Sequence, residues 1–200
     1  MANGFVGYLV DADELAGLAG SAERIEELIA ESADDIADYD EELHDDVDES
    51  GDGGQPTLVE ALRAIPGGDL DDEHGVVYAA AYRVLVEALG TQLIEGHLSP
   101  LPGGKAGVLE LSTALRDAGV TGQLPDGFTV YEPEIDLPAP DDYPTVVTLS
   151  AEQCAKAAQE YEAALSSLAV GSRLRAAAQD LIVWFRTARD ADRDLIIFFG

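Results

Sequence analysis

Leu195-Ile-Ile-Phe-Phe199 closes the 200-residue chain, and Phe5-Val-Gly-Tyr-Leu-Val10 lies near its other end. Both stretches are aromatic and β-branched, the composition of strands, and five apolar residues in a row suit a strand buried on both faces. Working inward from them, the rest of the chain reads mainly as helix. Two strongly apolar terminal strands around a helical middle predict an α+β fold: a small mixed β-sheet with the N- and C-terminal strands central, covered by about six helices. The length fits a single domain over 1–200, able to bury about 70% of the surface its unfolded chain exposes.

Asp11-Ala-Asp-Glu14 has capping-box spacing and opens a short helix that Gly17 and Gly20 weaken and end. From Ser21 the apolar residues Ile25, Leu28, Ile29, Ile36, Tyr39, Leu43 and Val47 form one stripe, which predicts a single helix reaching about residue 48. Thr57-x-x-Glu60 caps a helix through about Ile65, and Pro66-Gly-Gly68 stops it. Residues 74–94 are apolar on nearly all sides and read as the central buried helix; another runs from about 106 to 118. The Pro/Gly-rich segment 119–144 holds a candidate short strand, Phe128-Thr-Val-Tyr131. Thr145–Leu149 reads as a strand, and Ser150-x-x-Gln153 caps a helix to about Leu168. The last helix, from Ser172 to about Asp190, carries the stripe Leu174, Ala177, Ala178, Leu181, Ile182 and Phe185, with Trp184 one position off it and so at the rim.

Forty acids face eleven bases, a net charge of −29, and only Lys105 and Lys156 are lysines. Direct binding to nucleic acid or to an anionic membrane surface is disfavoured, since both are polyanions; a basic partner, a cation or a salty cytoplasm is favoured. The charge is uneven. Residues 1–60 carry nineteen acids and one base, Arg24, whereas 151–200 carry seven acids and six bases. Twelve of the 22 residues from Glu31 to Asp52 are acidic, with no Lys or Arg among them. Like charges at i,i+4 each cost a few tenths of a kcal/mol, so the acidic helix and loop of 21–56 depend on the packed stripe and on screening by salt.

Chemical motifs are sparse. Asp46, Asp48, Ser50 and Asp52, with Gly51, match the first positions of a helix–loop–helix calcium loop and form the best metal candidate. The match then fails: Thr57 stands where the bidentate Glu belongs, and Glu60 comes three residues late. His44, His74 and His97 share no metal-ligand spacing. There is no G-x-S-x-G, no phosphate-binding Gly loop and no C-x-x-C, so no cofactor is expected. Asp141-Asp142, between prolines and followed by Tyr143, reads as a turn. Arg173, Arg175, Arg186, Arg189 and Arg193 are expected to meet the acidic helix, in this chain or another, rather than an outside anion. Cys154 is the sole cysteine and reads as a small helix residue in a chain made in a reducing compartment. With no signal-peptide pattern and no apolar run approaching the ~18 residues of a membrane span, a cytoplasmic location is expected.

Taken together, Gly7-Tyr-Leu-Val-Asp11, Pro56-Thr-Leu-x-Glu-Ala-Leu62, Tyr78-Ala-Ala-Ala-Tyr82, Leu137-Pro-Ala-Pro-Asp-Asp-Tyr-Pro144 and the Trp184 helix leading into 195–199 resemble a group of uncharacterised bacterial proteins. That group is common in actinobacteria and is itself similar to the YfbM-like proteins of unknown function. The resemblance implies an α+β fold and supplies neither an activity nor catalytic residues.

Three functional readings follow. The first is a non-enzymatic interaction protein, of the immunity-protein or inhibitor kind, that presents Asp38, Glu42, Asp45 and Asp46 to a basic protein; the sequence fixes no oligomeric state. The second takes the acidity as adaptation to a salty cytoplasm or to solubility. The third is a carboxylate and divalent-metal hydrolase, resting on acid abundance alone.

Overall fold

The computed structural model describes residues 4–47, 55–93, 104–141 and 144–200. In chain order the elements are β1 (Phe5–Val10), α1 (Ala12–Ala19), α2 (Ala22–Glu31), α3 (Ala33–Val47), α4 (Leu58–Ala64), α5 (Gly75–Leu89), β2 (Thr91–Gln92), α6 (Lys105–Asp117), β3 (Tyr131–Glu132), β4 (Thr145–Leu149), α7 (Ala151–Ala164), α8 (Arg173–Ala191) and β5 (Asp194–Phe199). Short 3-10 turns lie at Ile65–Gly67, Asp72–His74 and Pro125–Thr129. The fold is α+β. Among the described residues there are eight α-helices rather than about six.

Two compact units share the chain: one of residues 1–11, 90–132 and 144–200, the other of 12–89 and 133–143. The first holds the five-stranded mixed sheet, in the order β2-β1-β5-β4-β3. The terminal strands are central and antiparallel, in register from Phe5↔Phe199 to Val10↔Asp194. β4 runs antiparallel on the other side of β5, and only the β3–β4 pair is parallel. Every residue from Leu195 to Phe199 is buried, as expected of a strand covered on both faces. On the face that carries Gly7, α8 lays Trp184 so close that a Cβ on Gly7 would stand 3.0 Å from the indole. Phe5, Phe128, Phe185 and Tyr161 continue this core through successive edge-to-face contacts.

The second unit is helical. α1, α2, α3 and α5 bury Leu15, Ile25, Ile36 and Leu85, and α4 buries Leu58 and Leu62 among them. Contacts that join segment 133–143 to this unit include the Glu134 N–H, which donates to the Tyr82 hydroxyl at 3.1 Å, and the backbone at Ala139, which lies against Gly75.

Local chemistry explains the departures from expectation. The helix expected over 21–48 is two helices. Ser32 leaves helical geometry at φ −110, ψ 24, and its N–H bonds back to Leu28. Its carbonyl then accepts from Ile36 as α3 begins; serine competes for backbone hydrogen bonds at such ends. The central helix expected over 74–94 stops at Leu89, ahead of Gly90 and the edge strand β2. The strand expected at 128–131 is a 3-10 turn opened by Pro125, which buries Phe128, followed by β3 at 131–132. The helix expected to reach Leu168 ends at Ala164. Trp184 is not at a rim but 1% exposed, whereas Leu174 is only half-buried.

Candidate functional site

Charge divides between the two units. The helical unit has twenty-seven acids against three bases, a net of −24; the sheet-bearing unit has thirteen against eight, a net of −5. The acidity belongs to one unit rather than to the molecule at large.

Within the acidic unit, the packing of α2 and α3 decides which carboxylates stay outside. Ile25, Leu28 and Ile36 face inward. So do two polar residues of α3: the Tyr39 hydroxyl donates to Glu87 at 2.9 Å, and Asp40 accepts the Leu58 N–H at 2.8 Å, capping the start of α4. What remains outside is Glu23, Glu27 and Glu31 on α2, with Asp34, Asp35, Asp38 and Glu41 on α3. All seven are exposed. None makes a hydrogen bond or ion pair with a described residue. On α2 the glutamates recur every four residues, a rise of about 6 Å per step along one face.

The unit's three bases are placed elsewhere. Arg63 forks onto Glu26 at 2.7 and 3.0 Å, and this hydrogen bond holds the Glu26 carboxyl below its ordinary value. Arg83 pairs with Glu87 at 2.9 Å and lies over the Tyr39 ring, while the Arg24 guanidinium lies against Gly17 of α1.

Of the residues expected to contact a partner, Asp38 is therefore exposed and unpaired. Glu42, Asp45 and Asp46 fall in α3, and their side chains lie outside the described residues, as do Asp48, Ser50 and Asp52 of the candidate calcium loop, His97, Asp142 and Tyr143. Among the described residues no group of three or more His, Cys, Asp or Glu is placed to hold a metal ion. His74 stands 3.7 Å from Asp71. The arginines of 173–193 have partners within their own unit. Arg173 pairs with Glu110 and Arg186 with Glu162 at 2.7 Å, Arg189 with its neighbour Asp190, and Arg193 with Asp11 at 3.8 Å. Arg175 caps the carbonyls of Leu165 and Leu168.

Other polar features are structural. Glu160 of α7 accepts the Gly122 and Thr121 N–H groups at 2.8 and 3.0 Å, and the adjacent Tyr161 hydroxyl donates to the Gln123 carbonyl at 2.7 Å. Burial alone would raise the Glu160 carboxyl, but the two N–H bonds and nearby Lys156 outweigh it and hold the group below its ordinary value. The clamp was not foreseen, since its partners are 38 and 39 residues apart. Burial, helped by the Asp194 charge, pushes the Cys154 thiol up to about 12, leaving it protonated and inert at neutral pH. Trp184 Nε1 and Thr148 Oγ1 are buried without a hydrogen-bond partner among the described residues. They do not converge: Trp184 packs on the Gly7 face, and Thr148, in register with Ile196 and so with Tyr8, points to the other. A shallow concavity of about 520 Å³ lies between α6 and the start of α8, over Leu109, Ala106, Ala114 and Leu174.

A family model described as a domain of unknown function, DUF7691, matches residues 1–200. The chain belongs to this DUF7691 family. No curated protein and no solved structure matches it. No helix among the described residues is long and apolar enough to cross a membrane. The most distinctive surface of the domain is the row of free carboxylates on α2 and α3.

Proposed function

We propose that this protein is a non-enzymatic binding protein whose α2–α3 face docks on a basic protein partner. The observation that carries the reading is the set of seven exposed carboxylates, Glu23, Glu27, Glu31, Asp34, Asp35, Asp38 and Glu41, which pair with no cation among the described residues. Such a face steers a basic partner during diffusional encounter and repels other acidic proteins, so it contributes to association rate and specificity more than to raw affinity. The segregation of charge favours this reading over acidity spread for solubility, which needs no such asymmetry. Glu42, Asp45 and Asp46, which follow Asp38 in the sequence of α3, are proposed as partner contacts as well. A cytoplasmic location suits a partner held by ion pairs at moderate salt. A kinship with the YfbM-like proteins rests on segment 137–144 and on the Trp184 helix with its following strand, and it brings no activity.

The test is capture of partners by the immobilised full-length protein at 0.05 and 0.5 M KCl, beside a Glu27→Lys, Asp38→Lys variant. Both substitutions sit on exposed helical surface and are expected to leave the fold intact, which circular dichroism checks. A stoichiometric basic protein retained by the wild type, lost at high salt and lost on the variant is the expected result. Equal retention on wild type and variant contradicts it.

A further inference from the structure

We infer that α2 and α3 form an ionic-strength-sensitive element that loosens from the helical unit in dilute salt and tightens as salt rises, while the sheet-bearing unit is indifferent. The inference does not rest on the docking reading, because screening by small ions needs no partner.

Three observations lead to it. Repulsion is concentrated along α2 and α3. Glu23, Glu27 and Glu31 follow one another at i,i+4, as do Asp34 and Asp38, and all five are exposed with no pairing cation among the described residues. Neighbouring carboxylates on such a row are about 6 Å apart along the axis. That spacing is well inside the Debye length of about 30 Å at 0.01 M salt and beyond the ~3 Å of 1 M salt, so the repulsion is switched off within an accessible salt range.

Second, the anchoring is thin. Ile25, Leu28 and Ile36 are the buried apolar side chains of the two helices among the described residues, with Ile29, Tyr39 and Leu43 half-buried. Among the described residues the polar ties include Tyr39 to Glu87, with Arg83 over the Tyr39 ring, Asp40 to the α4 N-terminus and Arg63 to Glu26. The break at Ser32 removes the continuous hydrogen-bond ladder that would make the two helices one rigid rod.

Third, the contrast is internal. α7 and α8 lie in a unit of net −5, where Arg173, Arg186 and Arg193 each have a carboxylate partner. Low salt strengthens these pairs rather than weakening them. One molecule thus carries a region that repels itself in dilute salt and a region of paired charges that does not.

Amide hydrogen exchange on the full chain, resolved by segment, tests the inference between 0.01 and 1 M KCl. Exchange across 22–41 is expected to slow by about tenfold as salt rises, with less than about a twofold change in α7, α8 and β5. Sucrose at matched osmolality is expected to have no such effect. A Glu27→Gln, Glu31→Gln, Asp34→Asn, Asp38→Asn variant is expected to exchange slowly over 22–41 already at 0.01 M. Salt-independent exchange over 22–41 in the wild type, or a slowing equal in all segments, overturns the inference whether or not the variant folds. So does a folded variant with the wild-type salt dependence.

Discussion

At Gly75 the backbone of α5 comes so close to the 139–140 peptide that a Cβ built there would lie 2.1 Å from the Ala139 carbonyl oxygen. A methyl group cannot be accommodated by turning a side chain, because the obstacle is backbone. Gly75→Ala is therefore expected to lower stability by about 1–3 kcal/mol, the usual cost of overpacking. Gly127, with nothing within 4 Å of its would-be Cβ, serves as the control. Urea denaturation of both variants checks this: an unshifted midpoint for Gly75→Ala would show that segment 133–143 is not held as described. Gly7 tells a related story. A lone glycine in an aromatic and β-branched strand marks close approach, and Trp184 is what approaches. The helical stripe alone put Trp184 at the rim, because it assumed one narrow buried face. The buried set of α8 runs through Ala177, Ala178, Leu181, Ile182, Trp184, Phe185 and Ala188, a wider face than the stripe.

Among elements, those fixed by short-range chemistry were legible in sequence. Thr57 with Glu60, and Ser150 with Gln153, form complete capping boxes where their spacing predicted. The terminal strands were legible because an unbroken apolar run has few alternatives. The edge strands β2 and β3 were not, since two residues carry no measurable period. The Glu160 clamp was equally hidden, as its hydrogen bonds join α7 to a loop far off in sequence. That clamp makes a prediction in pH. The folded-state carboxyl lies below its ordinary value of 4.5, so its stabilisation is fully present above that pH. It is lost as the pH falls through the lowered value. Glu160→Gln is expected to cost about 1–2 kcal/mol at pH 7, for loss of charge-assisted bonds to two N–H groups. The gap between wild type and variant should narrow in acid. Stability curves from pH 7 down to 3 measure it, and a gap that stays constant or widens on acidification contradicts the assignment.

For the whole molecule, the excess charge over 1–60 and its near absence over 151–200 foretold an acidic and a nearly balanced region. They did not foretell that segment 133–143, with four more acids, belongs to the acidic unit. The contacts that tie the segment there, Tyr82 with Glu134 and Gly75 with Ala139 among them, span more than fifty residues, which no periodicity encodes. Nor did sequence separate free carboxylates from employed ones. Asp38 and Asp40 look alike in the chain, yet Asp40 caps α4 while Asp38 stays unpaired. The central claim is that the free set steers a basic partner. Its most direct test is the association rate of the partner retained in the capture experiment, measured by stopped flow from 0.05 to 0.5 M KCl with wild type and with the Glu27→Lys, Asp38→Lys variant. The account predicts a wild-type rate that falls by about tenfold or more as salt rises, a slower variant with a shallower salt dependence, and dissociation rates that change far less. An association rate indifferent to both salt and charge reversal would contradict it.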